Sequence, residues 1–394
     1  MRALSTREQR AWYICLILLS GIECLTSGCA RLHHYNQSNF IEDHIRASRD
    51  KKRMEWFKAS ILVPGRDIIT LETLWRHLAG NEAWNAASPG ISDSSFYTNR
   101  TAAELTPARV ATGPCQDPAP QPPFTIKKLK TSGATPGFIG TDADGRRFLF
   151  KLDHPDYPEL GTSAAIIGSR IMWALGYNVP PIYLVEITGT GDARFDGQRA
   201  TAALFLDDVA GHFHFDWFRH RRELRGLRLA CAWINDTDRV GSNTLVVVKD
   251  GRAKYYLIDF NSCLGSWQGV PKESWRGWRH QGSVGWALLE FLSFSLAHPE
   301  PDPVQPAVSP AVGRFTADHF SPLLWRSQMP NTPFQYMSGA DRRWIISKIR
   351  DLKQEHLEAI IAAARLSRPE DTRYLLDTLM QRQRRILGPD GKSR

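Results

Sequence analysis

The residues best suited to chemistry lie in Trp233-Ile234-Asn235-Asp236-Thr237-Asp238-Arg239-Val240-Gly241-Ser242-Asn243-Thr244-Leu245 and in Tyr255-Tyr256-Leu257-Ile258-Asp259-Phe260-Asn261. Asp238, Asn243 and Asp259 offer two carboxylates and an amide oxygen. Such oxygen donors are what a hard cation such as Mg²⁺ prefers. An Asp, an Asn five residues on, and a second Asp after a short apolar strand is an order that phosphoryl transfer uses. The first Asp, Asp238, would orient the attacking hydroxyl, while Asn243 and Asp259 would hold the metal on nucleotide phosphates. The plainer reading is that Asp238 caps a turn and Asp259 ends a strand, since Asp and Asn are common at both places. The spacing alone is a weak signal, and its order relative to a helix and a hairpin gives it weight.

Those elements are legible nearby. Residues 224–233 read as a helix, with Leu224, Leu227, Ala230 and Ala232 among its apolar positions. Residues 245–248 and 255–258 read as two strands joined by the hairpin turn Lys249-Asp250-Gly251-Arg252, with its Asp-Gly signal. A hairpin brings its ends together, so Asp238 and Asn243 before it and Asp259 after it converge.

The chain has 394 residues, enough for one large domain or two smaller ones. It is 42% hydrophobic and 10% aromatic, so a sizeable core is available. A net charge of +9 permits attraction to phosphates, acidic surfaces or nucleic acid without naming any of them. No zinc-finger spacing is present, so nucleic-acid recognition is only a weak option.

At the N-terminus, Arg2, Arg7 and Arg10 precede an apolar run over residues 11–22, then Thr26-Ser27-Gly28-Cys29. A basic region, a short apolar region and small residues make a secretory signal. The run is short for a membrane span. Thr26-Ser27-Gly28-Cys29 resembles a bacterial lipoprotein signal, with Cys29 as the lipidated residue, although Thr26 stands where Leu is usual. The expectation is a signal peptide over 1–28 and a body in the cell envelope, anchored to a membrane through lipid on Cys29. Ordinary secretion or an uncleaved anchor are the alternatives. Beyond Cys29 only Cys115, Cys231 and Cys263 remain, an odd and widely spaced set that makes no disulfide framework.

Further along, residues 29–123 read as a tether and N-terminal extension ending in the Pro-rich linker Pro118-Ala119-Pro120-Gln121-Pro122-Pro123. Residues 124–210 are strand-rich. The clearest strand is Phe148-Leu149-Phe150-Lys151-Leu152, followed by a helix over 162–175 and strands over 182–187 and 202–206. Residues 211–387 are mostly helical, with a Pro-rich break over 299–312 and two helices expected over 341–365 and 370–386. Thr131-Ser132-Gly133-Ala134-Thr135-Pro136-Gly137-Phe138-Ile139-Gly140 is Gly-rich, and exposed backbone N–H groups there can hold phosphate oxygens, though such a stretch is often a plain turn. Lys151 stands in an otherwise apolar strand, where it would reach nucleotide phosphates or simply face solvent at a sheet edge.

Thr135-Pro136-Gly137-Phe138, Phe150-Lys151-Leu152-Asp153, Ala174-Leu175-Gly176-Tyr177-Asn178-Val179-Pro180, the Asp238–Asn243 segment and Leu257-Ile258-Asp259-Phe260-Asn261-Ser262 together look like a known group. They resemble a set of largely uncharacterised bacterial envelope proteins distantly similar to HipA-like atypical kinases. The resemblance covers residues 125–387, and its specific part surrounds Asp238, Asn243 and Asp259. It implies an α+β, two-lobed protein-kinase-like fold, with a small strand-rich N-lobe and a mostly helical C-lobe. It implies ATP or another nucleotide with Mg²⁺. Lys151 would bind phosphates, Asp238 would be the catalytic base, Asn243 and Asp259 would hold the metal, and the loop around Gly133 and Gly137 would cover the phosphates. One departure stands out. The helix after the Lys strand reads Thr162-Ser163-Ala164-Ala165-Ile166-Ile167, with no Glu to position Lys151, and Glu159 is the nearest substitute.

Two readings of function follow. One is a phosphotransferase moving a nucleotide phosphoryl group to an unknown acceptor. The other is a catalytically inactive kinase fold serving as an envelope binding module, which the missing helix Glu and the export signal favour. A third is a structural lipoprotein with an incidental acidic loop. Other groups are less specific. His212-Phe213-His214 with Asp216 reads as a polar loop rather than a metal cluster. Arg219, Arg221, Arg222, Arg225 and Arg228 read equally as a solvated helix face or a site for an acidic partner.

Overall fold

In the computed structural model the described residues are 83, 85–86, 90–131, 135–280 and 306–388. The proposed signal peptide, Cys29, the tether, Gly133 and the first part of the second Pro-rich break lie outside them. Among the described residues no helix is long and apolar enough to cross a membrane.

The architecture is mixed α and β. A short helix α1 (Pro107–Thr112) precedes five strands: β1 (Thr125–Leu129), β2 (Gly137–Thr141), β3 (Arg147–Leu152), β4 (Ile182–Glu186) and β5 (Arg199–Leu204). They form one antiparallel sheet in the order β1-β2-β3-β5-β4. Helix α2 (Leu160–Ala174) lies between β3 and β4 in the chain. Alternation along β3 decides what each face does. Phe148, Phe150 and Leu152 are buried, in a cluster with Phe124, Phe138, Tyr183 and Phe195. Phe138 and Phe150 stack with ring centroids 4.6 Å apart. Full burial of such a side chain contributes roughly 2–3 kcal/mol, so this cluster pins the register of β2 on β3. Lys151 is thereby turned to the opposite face.

A larger core gathers α2, helix α3 (Arg222–Trp233), and the C-terminal helices α4 (Thr332–Gln335), α5 (Gly339–Asp351), α6 (Gln354–Ala362) and α7 (Pro369–Leu387). Every residue of α2 is buried. Gly168 makes its close packing possible, since a Cβ there would lie 2.7 Å from Cys263 Sγ. Phe96, Tyr97, Leu105 and Val110, from the segment before the first sheet, also enter this core. The Phe96 ring stacks on Tyr255 at 4.0 Å. Arg199 on β5 ties the sheet to the helices, donating to the carbonyls of Ala364 (2.6 Å) and Arg365 (2.9 Å).

A second sheet, in the order β6-β7-β8, comprises β6 (Val209–Gly211), β7 (Thr244–Lys249) and β8 (Arg252–Leu257). The β7–β8 turn has φ of 50° at Asp250 and 69° at Gly251. Both central residues are left-handed, as a type I′ hairpin requires. Two further two-residue strands, β9 (Ser266–Trp267) and β10 (Val270–Pro271), pair with each other.

Two sequence expectations need correction. The helix expected over 341–365 is two helices, α5 and α6. Leu352 is extended and buried, and His356 Nδ1 accepts the backbone N–H of Lys353 at 2.9 Å to begin a new helix. The arginine-rich stretch is not a solvated face. Arg222 and Arg225 are buried against Asp341, at 3.2 and 3.3 Å, and Arg221 pairs with Glu223 at 2.7 Å. Asp341 also completes the capping box of α5 with Ser338. A buried guanidinium needs a paired carboxylate, and here that carboxylate comes from 116 or more residues along the chain.

Candidate active site

β3 delivers Lys151 and the end of β8 delivers Asp259. Lys151 Nζ lies 2.7 Å from Asp259 Oδ1 and donates a hydrogen bond to it. The side chains are 15% and 32% exposed, so the pair sits at the rim of solvent where a ligand can reach it. Asp259 has a φ of 60°, a left-handed conformation that Asp tolerates better than most residues. Strain of this kind is often kept where a side chain must be aimed. Burial would push the Asp259 carboxyl up, but the charge and hydrogen bond of Lys151, with Arg239 and Lys130 beyond, hold it below the usual range.

Asp238 stands midway along the loop between α3 and β7, and Asn243 stands at its end. Asn243 Nδ2 donates to the Asp238 carbonyl at 2.7 Å, which leaves Asn243 Oδ1 as the oxygen to offer a ligand. The Ile258 N–H donates to the Asn243 carbonyl at 3.1 Å, so Asn243 is carried beside the residue that precedes Asp259. Asp238 is half-buried, and its carboxyl is pushed up to about 6. Burial is the largest cause. Arg239 opposes it, and the nearby charges of Asp259 and Asp236 reinforce it.

Arg239 is the internal strut of this site. It is buried and forms a 2.7 Å ion pair with buried Asp236. Its Nη2 donates to the Asp259 carbonyl at 2.8 Å and its Nη1 to the Asn243 carbonyl at 3.4 Å. One side chain therefore fixes the backbone of both residues expected to hold a metal. The guanidinium also lies 4.9 Å from the Phe260 ring centroid. No periodicity marks a buried arginine inside a loop, so this role is not legible from residue spacing.

The β1–β2 connection meets the same site. Lys130 Nζ donates to the Thr135 carbonyl at 2.6 Å. Thr135 Oγ1 accepts from Asn261 Nδ2 at 2.8 Å and donates to the Gln268 carbonyl at 3.1 Å. The loop root is thus tied to the segment just after Asp259. Lys130 lies outside the motifs read from the sequence, while Thr135 and Asn261 stand within them but without an assigned role. Gly137 is already in β2 and faces Lys151 across the β2–β3 ladder. A Cβ at Gly137 would lie 2.1 Å from the Phe150 carbonyl oxygen, so only Gly lets β2 approach there. Gly133 lies outside the described residues.

Glu159 does not pair with Lys151. Its carboxylate accepts hydrogen bonds from the Ser367 N–H and hydroxyl, at 3.0 and 3.2 Å. Asp153 takes up a different task near the same strand. It accepts from the Thr162 N–H (2.8 Å), the Thr162 hydroxyl (2.6 Å) and the Glu159 N–H (3.0 Å), satisfying donors at the start of α2. Cys263, four residues beyond Asp259, is fully buried, and burial pushes its thiol well up, so it is a packing residue and not a nucleophile. His212 Nδ1 is bonded to the Thr244 carbonyl, and Asp216 accepts from the Thr332 hydroxyl. Among the described residues no cluster of three or more His, Cys, Asp or Glu is arranged to hold a metal.

The donor set at the site suits Mg²⁺ in one way only. Asp259 contributes a carboxylate whose Oδ1 is shared with Lys151, and Asn243 contributes one amide oxygen. Mg²⁺ commonly takes one or two protein carboxylates and completes its shell with substrate phosphates and water. The residues present fit that pattern and do not form an all-protein cage.

No protein-family model matches the chain, and no curated protein does. Among solved structures, the Helicobacter pylori proinflammatory kinase CtkA matches at 11% identity and a TM-score of 0.28, over 67% of this chain and 98% of that one. HipA of the Shewanella oneidensis MR-1 toxin–antitoxin system, solved with HipB and operator DNA, matches at 11% identity and a TM-score of 0.32, over 86% and 83%. At that similarity neither match bears on the activity of this chain.

Proposed function

We propose that the protein is a kinase-like phosphotransferase, two-lobed in arrangement, that moves a nucleotide phosphoryl group to a hydroxyl acceptor. The observation that carries this is the Lys151–Asp259 pair at 2.7 Å, with Asn243 and Asp238 brought beside it by Arg239 and the β7–β8 hairpin. Lys151 binds nucleotide phosphate oxygens. Asp259 and Asn243 would hold Mg²⁺, which when bound neutralises charge on the phosphates. Asp238 orients the acceptor hydroxyl and accepts its proton as the new P–O bond forms, and the nucleotide leaves with the electrons of the broken bond. A carboxyl raised to about 6 is better matched to proton transfer near neutral pH than an ordinary one. The loop root at Thr135, tied to Asn261, supports the reading that this loop covers the phosphates.

A second reading has its own observation. Among the described residues the ion-pair partner of Lys151 is Asp259, and Glu159 is engaged with Ser367. A fold that binds nucleotide without transferring phosphate, acting as an envelope binding module, is consistent with that arrangement. Export and lipidation at Cys29 remain part of the proposal for either role and are tested by metabolic lipid labelling of Cys29→Ala. The deciding experiment for function follows transfer of a labelled γ-phosphate to protein and small-molecule acceptors. Transfer by the wild type that is absent in a folded Asp238→Ala variant supports the enzyme, and equal transfer by both overturns the role given to Asp238.

A further inference from the structure

A second cluster of cations lies away from Asp238, and among the described residues no ion pair neutralises it. Arg100 and Arg109, from the segment before the first sheet, both lie over the Trp173 ring at the end of α2, at 4.1 and 4.5 Å from its centroid. Lys254 on β8 lies 5.6 Å from the Tyr256 ring centroid. All five residues line one cleft of about 420 Å³, within the size range of small-ligand sites. Its lining also includes Glu104, but that carboxylate is turned to Thr101, accepting from its N–H at 2.6 Å and its hydroxyl at 2.8 Å.

Backbone carbonyls fix the two arginines without neutralising them. Arg100 Nη1 donates to the Trp173 carbonyl at 2.7 Å, and Arg109 Nη1 to the Gly113 carbonyl at 2.9 Å. Among the described residues no carboxylate forms an ion pair with Arg100, Arg109 or Lys254. Burial brings the Arg100 guanidinium down to about 10, with Arg109 adding to the fall and Tyr97, Glu104 and Asp93 opposing it, so it is charged at neutral pH. Two guanidiniums held over one indole ring are already oriented, with donors left over. Such forks match phosphate oxygens in a bidentate manner.

We infer that this cleft is a second binding site, for a small phosphoryl-bearing anion, with Arg100, Arg109 and Lys254 as its donors. The site is independent of the phosphotransferase reading. Its walls nonetheless belong to elements that carry the Lys151–Asp259 pair. Trp173 ends the helix whose start is held by Asp153, two residues after Lys151, and Tyr256 is three residues before Asp259.

The test is calorimetric titration of the full chain with inorganic pyrophosphate, in the absence of Mg²⁺ and at constant ionic strength. Wild type, Arg109→Gln/Lys254→Gln and Lys151→Ala are compared, each shown to be folded by circular dichroism. Arg109 and Lys254 are chosen because Arg100 also holds the end of α2. The expected result is one saturable site in wild type and in Lys151→Ala, weakened at least tenfold in Arg109→Gln/Lys254→Gln. Absence of saturable binding overturns the inference. So does binding unchanged in the double variant, and so does binding lost in Lys151→Ala alone, which would place the anion at the catalytic lysine.

Discussion

Lys151 and Asp259 stand 108 residues apart in the chain, yet their side chains meet at 2.7 Å. β3 brings one and the end of the β7–β8 hairpin brings the other. The pair is partly exposed, so its charge interaction adds at most about 1 kcal/mol to stability. Its worth in the proposed function is positional: each partner holds the other where a phosphate and a metal would meet them.

Lys151→Met should therefore separate folding from function. The melting temperature should change little, while phosphoryl transfer falls by roughly 10²–10³-fold, as expected when a charged group that stabilises the transferring phosphate is removed. A melting curve beside a transfer assay checks both. A variant that melts far earlier would show that the lysine is structural.

Asp238 predicts two opposite pH effects. In the proposed role the deprotonated carboxylate is the working form, so the transfer rate should rise with pH through about 6 and then level off. Stability should run the other way. The folded-state value lies above the ordinary 3.8, so the native state binds this proton more tightly than the unfolded one. The stabilising contribution is present below pH 4 and is lost as pH rises to about 6. Asp238→Asn should remove that loss and leave the protein more stable at pH 7, by on the order of 2 kcal/mol, while abolishing transfer. Denaturant melts at pH 4.5 and pH 7 measure the difference. An unchanged difference between the two proteins would refute the buried-carboxylate account.

Arg239→Met should cost about 3–5 kcal/mol, because it leaves Asp236 buried and unpaired. The double variant Asp236→Asn/Arg239→Met should recover part of that loss without recovering activity, since the carbonyls of Asn243 and Asp259 still lack their donor. Chemical denaturation of the two variants and the wild type gives the coupling.

Asp153→Ala should cost about 1–3 kcal/mol through three lost hydrogen bonds at the start of α2. Because Asp153 follows β3 directly, nucleotide affinity should fall together with stability. Hydrogen exchange should show the loss concentrated in the first turn of α2, and uniform loosening would contradict the local role.

Much of the frame is legible in the sequence. The Asp-Gly hairpin, the strand carrying Lys151 and the helix after it all follow from short-range patterns: turn chemistry, alternation and apolar periodicity. The convergence of Asp238, Asn243 and Asp259 followed from the hairpin between them. Long-range pairing was not legible. Arg239, Lys130 and the Thr135–Asn261 bond act through contacts that no spacing encodes. Arg222 and Arg225 looked like surface charge because their partner, Asp341, lies in a different helix. The break at Leu352 was hidden because its apolar side chain continues the stripe of α5 while its backbone leaves the helix.

The most direct test of the central claim is nucleotide binding by thermal shift, with and without Mg²⁺, on wild type and Asp259→Ala. A Mg²⁺-dependent rise in melting temperature, lost in a folded Asp259→Ala variant, is the predicted result. No shift with any nucleotide in a folded sample, or a shift that Asp259→Ala leaves intact, would contradict the assignment of Lys151, Asn243 and Asp259 to a nucleotide and metal site.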